Sequence, residues 1–98
     1  MKSLERKIMG AEPTLVVFQH ADNKDTENVE KLLASLKAQY GDKVNIEHVD
    51  ATHDGNIKVS YKLHEYPTWI IYRQGEELMR VSGHKSEAEL VDMIKRAM

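Results

Sequence analysis

The run Leu15-Val16-Val17-Phe18 has no polar residue between its apolar ones. A strand of this kind is buried on both faces, so the chain must bring apolar surface to both sides of it. Helical stripes elsewhere in the sequence provide that surface. Val29, Leu32, Leu33, Leu36 and Tyr40 recur at i, i+3, i+4, i+7 and i+11, one stripe along a helix from about 25 to 40. Asp22, Asn23 and Asp25 are its candidate N-caps, and Glu27 and Glu30 suit the positive end of its dipole. Gly41 stops it. Val44, Ile46 and Val49 mark a second strand over 44–49, and a strand–helix–strand unit with this connection is parallel and right-handed.

The remaining elements follow from periodicity and punctuation. Leu4 and Ile8 make a short amphipathic helix over 3–9, ended by Gly10 and Pro13. Ile57, Tyr61 and Leu63 lie on one face of a short helix over 54–63. Strands over 68–73 and 77–81 flank the turn Gln74-Gly75-Glu76, the pattern of an antiparallel hairpin. Ser86 followed three residues later by Glu89 is a capping box. It opens a last helix with Leu90, Met93 (or Val91), Ile94 and Met98 inward. The simplest packing is a four-stranded mixed sheet with helices on both faces, an α/β class.

Ninety-eight residues make one domain, 1–98, with room for one modest core. The 14 basic and 16 acidic residues are interspersed, so no basic stripe offers itself to nucleic acid. No 18-residue apolar stretch is present to span a membrane. The first residues lack the apolar run of a signal peptide, which points to a cytoplasmic setting or to an exported chain already trimmed. The chain has no cysteine. Disulfides, thiolate nucleophiles and cysteine-held metals are thereby removed together.

In this order, and with these residues, the chain resembles the thioredoxin family from about residue 5 to residue 98. Val17-Phe18 and the loop after them resemble the strand that leads into the family's active site. Tyr40-Gly41 stands where the family often has Tyr-x-Gly. Tyr61-x-Leu63 followed by Tyr66-Pro67-Thr68 resembles the Tyr-x-Ile and cis-proline segment. Gly75-Glu76 resembles the Asn-Gly-Glu hairpin turn, and Gly83 the glycine before the last helix. The resemblance implies a thioredoxin-like fold lacking the N-terminal extra strand, with strand 44–49 at a sheet edge. It also implies that Tyr66-Pro67 is cis, with the backbone before the proline facing the active-site loop and pairing with an extended peptide.

Two departures bear on chemistry. The family's Cys-x-x-Cys is replaced by Asn23-Lys24-Asp25-Thr26, so Asn23 and Thr26 stand where the thiols would be. Dithiol exchange needs a thiolate and a mixed disulfide, which neither an amide nor a hydroxyl can form reversibly. The buried carboxylate that assists the redox step would fall at Val17, which holds no proton acceptor.

The groove implied by the resemblance contains His20, Asp22, Asn23, Thr26, Tyr66, Pro67 and His84, beside Ala21 and Lys24. Tyr66 offers an aromatic plate with a polar tip, material for a binding hot spot, or else packs on the neighbouring loop. Trp69 reads as core. His20, Asp22 and His84 lie on separate loops without ligand spacing, so no metal site and no cofactor are expected. Nothing in the spacing pairs Thr26 with His20 as nucleophile and base, so no catalytic residue is expected.

The reading that results is a redox-inactive domain binding a protein or peptide through the cis-proline groove by β-augmentation. The alternative is a thiol–disulfide oxidoreductase relative whose cysteines are supplied elsewhere or were removed. A third is a structural subunit, or a homodimer, docking through edge strand 44–49, although Asn45, Glu47 and His48 guard that edge.

Overall fold

The computed structural model describes residues 2–20, 26–53 and 55–98. Its elements run α1 (Lys2–Met9), β1 (Thr14–Gln19), α2 (Thr26–Tyr40), β2 (Asn45–Asp50), α3 (Gly55–Ser60), β3 (Thr68–Arg73), β4 (Glu76–Ser82) and α4 (Glu87–Ala97). The sheet order is β2-β1-β3-β4. β1 pairs β2 in parallel, and β3 runs antiparallel to both β1 and β4.

All six residues of β1 are buried, because the sheet is covered on both faces. On one face Leu15 and Val17 meet Val29, Leu33 and Leu36 of α2 and Leu90 and Ile94 of α4. On the other, Val16 and Phe18 meet Leu4 and Ile8 of α1, Ile57 of α3 and Leu63. Trp69, in β3, is fully buried in the first of these cores.

Several boundaries differ from those read in the sequence. The second strand starts one residue late because the N–H of Val44 is still bonded to Tyr40 O at the end of α2, 2.8 Å away. The third helix stops at Ser60, not 63. Lys62 takes a left-handed φ of 56° and Leu63 N–H reaches back to Lys58 O at 2.9 Å, a Schellman ending built on a lysine. Gln74 and Gly75 both have positive φ, 53° and 82°, so the hairpin turn is these two residues alone and Glu76 already belongs to β4. Met98 does not point inward. It is 52 % exposed beyond the end of α4, and Ala97 is the buried residue there.

The capping box forms. Ser86 Oγ accepts from Glu89 N–H at 3.2 Å and donates to the Glu89 carboxylate at 3.2 Å. β2 is a sheet edge. The N–H groups of Asn45 and Ala51 bond Pro13 O and Gln19 O, so odd-numbered residues pair with β1 and the backbone of Ile46, His48 and Asp50 faces outward. The Ile46 side chain nevertheless lies in the core, 4 % exposed.

Candidate functional site

Three chain segments converge beyond the same end of the sheet. β1 runs out at Gln19 into His20. The segment before β3 carries Tyr66 and Pro67, and β4 runs out at Ser82 into Gly83 and His84. The Tyr66–Pro67 peptide bond is cis. Pro67 is buried and its carbonyl accepts from Gly83 N–H at 2.8 Å. Thr68 Oγ1 donates to Glu65 O at 2.5 Å, which ties the segment back on itself. Gly83 has φ of 88°, a conformation glycine adopts without cost. Its carbonyl in turn accepts from Trp69 Nε1 at 3.1 Å. The tryptophan is therefore core by burial, and it also fixes the loop beside Pro67.

Tyr66 is half-buried against the cluster containing Phe18 and Tyr61. Its ring lies 5.5 Å from that of His20, inclined by 48°. It packs there and keeps some exposed surface. Among the described residues its backbone N–H and C=O make no hydrogen bond. His84 follows Gly83 and is exposed. Asp22 and Asn23 lie outside the described residues, as do the cap residue Asp25 and their neighbours Ala21 and Lys24. Thr26 is the first residue of α2. Val17 is fully buried, and its hydrocarbon side chain offers no proton acceptor. Among the described residues no three His, Asp or Glu side chains come together as a metal would require.

Sequence reasoning missed the residue that holds the segment between α3 and Pro67. Arg80 donates through Nη2 to Tyr61 O at 2.7 Å and through Nη1 to Lys62 O at 3.2 Å, carbonyls that the end of α3 leaves open. Glu77 aligns it with bonds of 3.1 Å from Nε and 2.8 Å from Nη2. In a regular strand residues 77 and 80 would face opposite sides. The register shift between Ile71 and Tyr72 adds a residue on β4 and brings the pair together. Only the Glu-x-x-Arg pair was visible in the sequence, and the bulge that makes it useful was not.

The thioredoxin family profile matches residues 25–96. A thioredoxin domain-containing protein of Acanthamoeba polyphaga mimivirus is 29% identical across 88% of this chain and 27% of its own length. The chain thus spans little more than a quarter of that relative. Among solved structures, Malassezia sympodialis thioredoxin superposes with a TM-score of 0.85 at 16% identity, over 98% of this chain and 84% of the other. Fasciola hepatica thioredoxin gives 0.84 at 21% identity, over 99% and 90%. At these identities the structural likeness is one of fold.

Proposed function

The chain belongs to the thioredoxin family, and we propose that within it this is a redox-inactive domain that captures an extended peptide segment of a partner protein in the groove beside Pro67. The redox half of the reading rests on composition. Without cysteine there is no thiolate to attack a disulfide, and Val17 supplies no base.

The binding half rests on one observation above others. The backbone of Tyr66 has no hydrogen-bond partner among the described residues, and it precedes a proline whose own carbonyl is held by Gly83. An unpaired N–H and C=O on a fixed segment is a template for one added strand. The Tyr66 ring, set against His20, gives an incoming side chain an aromatic surface next to that strand. His84, one residue past the Gly83–Pro67 bond, borders the same approach.

The test is capture of partner peptides from a displayed library by this chain and by Tyr66→Ala, followed by amide titration. Selected peptides that shift the Tyr66 amide, and that Tyr66→Ala no longer retains, support the reading. Peptides held equally by both chains, or shifts confined to the β2 edge around His48, overturn it.

A further inference from the structure

The hairpin end of the sheet holds a second recess, remote from the groove. Tyr72 is five residues along β3 from Pro67, about 16 Å at strand rise. Around Tyr72 a cavity of about 320 Å³ opens between α1, the end of α3 and the β3–β4 turn. Its walls are held together by backbone bonds. Gly75 N–H reaches Ile8 O at 2.8 Å and Gln74 N–H reaches Gly10 O at 3.0 Å. Met9 lies over the turn so closely that a Cβ at Gly75 would meet its sulfur at 2.5 Å.

Tyr72 is only 7 % exposed, yet its hydroxyl has no hydrogen-bond partner among the described residues while it lines the cavity. Among the described residues the Tyr61 hydroxyl likewise has no partner, and the two rings stand edge to face, 6.4 Å apart at 72°. Neither hydroxyl is a sealed-off buried group: both tyrosines line the open cavity. Glu5, on α1, brings a carboxylate that forms no ion pair among the described residues.

The charges of the lining decide what fits. Glu77 is committed to Arg80, and Arg80 spends its remaining bonds on Tyr61 O and Lys62 O. That pair is neutral and internally satisfied. Lys62 also lines the cavity, and its charge acts on Glu77. What remains unanswered is one carboxylate, two phenol oxygens and two aromatic rings. These are acceptors and π-faces, the complement of an ammonium group carried on an apolar stem. Ile8 and Met9 supply the apolar surface for the stem.

We propose that this cavity binds a primary alkylammonium, the head placed among Glu5, Tyr61 and Tyr72 and the stem along Ile8 and Met9. Such a group comes from a free amine or from a lysine side chain of a partner.

The experiment is amide-detected titration of the 98-residue chain with n-butylammonium chloride, with n-butanol, and with the blocked peptide acetyl-Gly-Lys-Gly-amide. Saturable shifts at Glu5, Tyr72, Gly75 and Glu77 with n-butylammonium, and none with n-butanol, are expected. Glu5→Gln should weaken the site about fivefold, the worth of one partly exposed ion pair. Tyr72→Phe keeps the ring and removes only the hydroxyl, and it should weaken binding by a similar factor. Tighter binding of the peptide than of the free amine assigns the site to a lysine side chain, and the reverse assigns it to a free amine. Equal shifts with n-butanol, no saturation with either amine, or full affinity in Glu5→Gln overturn the proposal. The groove reading stands or falls separately, because its reporter is the Tyr66 amide.

Discussion

The rings of His20 and Tyr66 meet at 5.5 Å across the end of the sheet, one from the exit of β1 and the other from the residue before Pro67. The contact joins two segments 46 positions apart in the chain, and it sets an aromatic surface beside the Tyr66 backbone, which is unpaired among the described residues. The first prediction turns on that contact. Tyr66→Ala should weaken peptide capture by about tenfold or more, the range of an aromatic hot spot. Because Tyr66 is only half-buried, folding should lose about 1 kcal/mol or less, a fall in melting temperature of no more than about 8 °C. Calorimetry and titration on the same variant separate the two effects. A large loss of stability with unchanged capture would make Tyr66 a packing residue only.

Gly83 and Trp69 form the other support of the groove. The indole N–H bonds the Gly83 carbonyl, and the Gly83 N–H bonds Pro67 O. Trp69→Phe leaves that carbonyl unpaired next to a partly emptied core site and should cost about 2–3 kcal/mol by denaturant melt. Gly83→Ala is a cleaner probe. Among the described residues, its chain neighbours aside, no atom lies within 4 Å of a Cβ built there, so its cost is that of the left-handed φ, about 1 kcal/mol. A Gly83→Ala loss as large as that of Trp69→Phe would contradict this account.

The element order and both cores were legible from periodicity. Leu15 to Phe18 demanded two covered faces, and the stripe from Val29 to Tyr40 provided one of them. The ends of elements were not legible, because hydrogen bonds that leave no mark on hydropathy set them. Val44 reads as a strand residue and is buried like one, yet its N–H belongs to the turn after α2. Lys62 reads as helical and instead takes a left-handed cap that glycine usually fills. The contact between the rings of His20 and Tyr66 joins residues far apart in the chain, and no local periodicity carries it. Arg80 escaped notice because its position depends on a bulge opposite Ile71 and Tyr72, a feature of pairing between strands rather than of either strand.

The Arg80–Glu77 pair sets an acid limit on stability. The guanidinium hydrogen bonds hold the Glu77 carboxyl below its ordinary 4.5. A group whose folded pKa is depressed stabilises the fold above its unfolded pKa, and that stabilisation disappears as pH falls through the folded value. Wild type should therefore exceed Glu77→Gln in melting temperature at neutral pH and converge with it once the pH is well under 4.5. The pair is partly exposed, so the difference should not exceed about 1 kcal/mol. Asp50, held low by the hydroxyl and amide of Thr52, contributes with the same sign in both chains and cancels in the comparison. A difference independent of pH would mean that Glu77 acts through packing rather than charge.

The last prediction concerns dithiol chemistry in a chain without cysteine. With dithiothreitol as reductant, the wild-type chain should accelerate insulin precipitation no more than a protein-free control does, since it has no sulfur nucleophile. Asn23→Cys with Thr26→Cys introduces the spacing of a Cys-x-x-Cys dithiol, with the second thiol at the first residue of α2, and should bring measurable reduction. That activity should remain well below that of a thioredoxin assayed beside it, because Val17 is buried and carries no proton acceptor. Adding Val17→Asp to the double variant should raise the rate while lowering stability by several kcal/mol, the cost of an uncompensated buried carboxylate. If the double variant already matches the thioredoxin, the loss at Val17 has no bearing on the reaction. If the wild-type chain reduces insulin, the redox-inactive assignment is wrong.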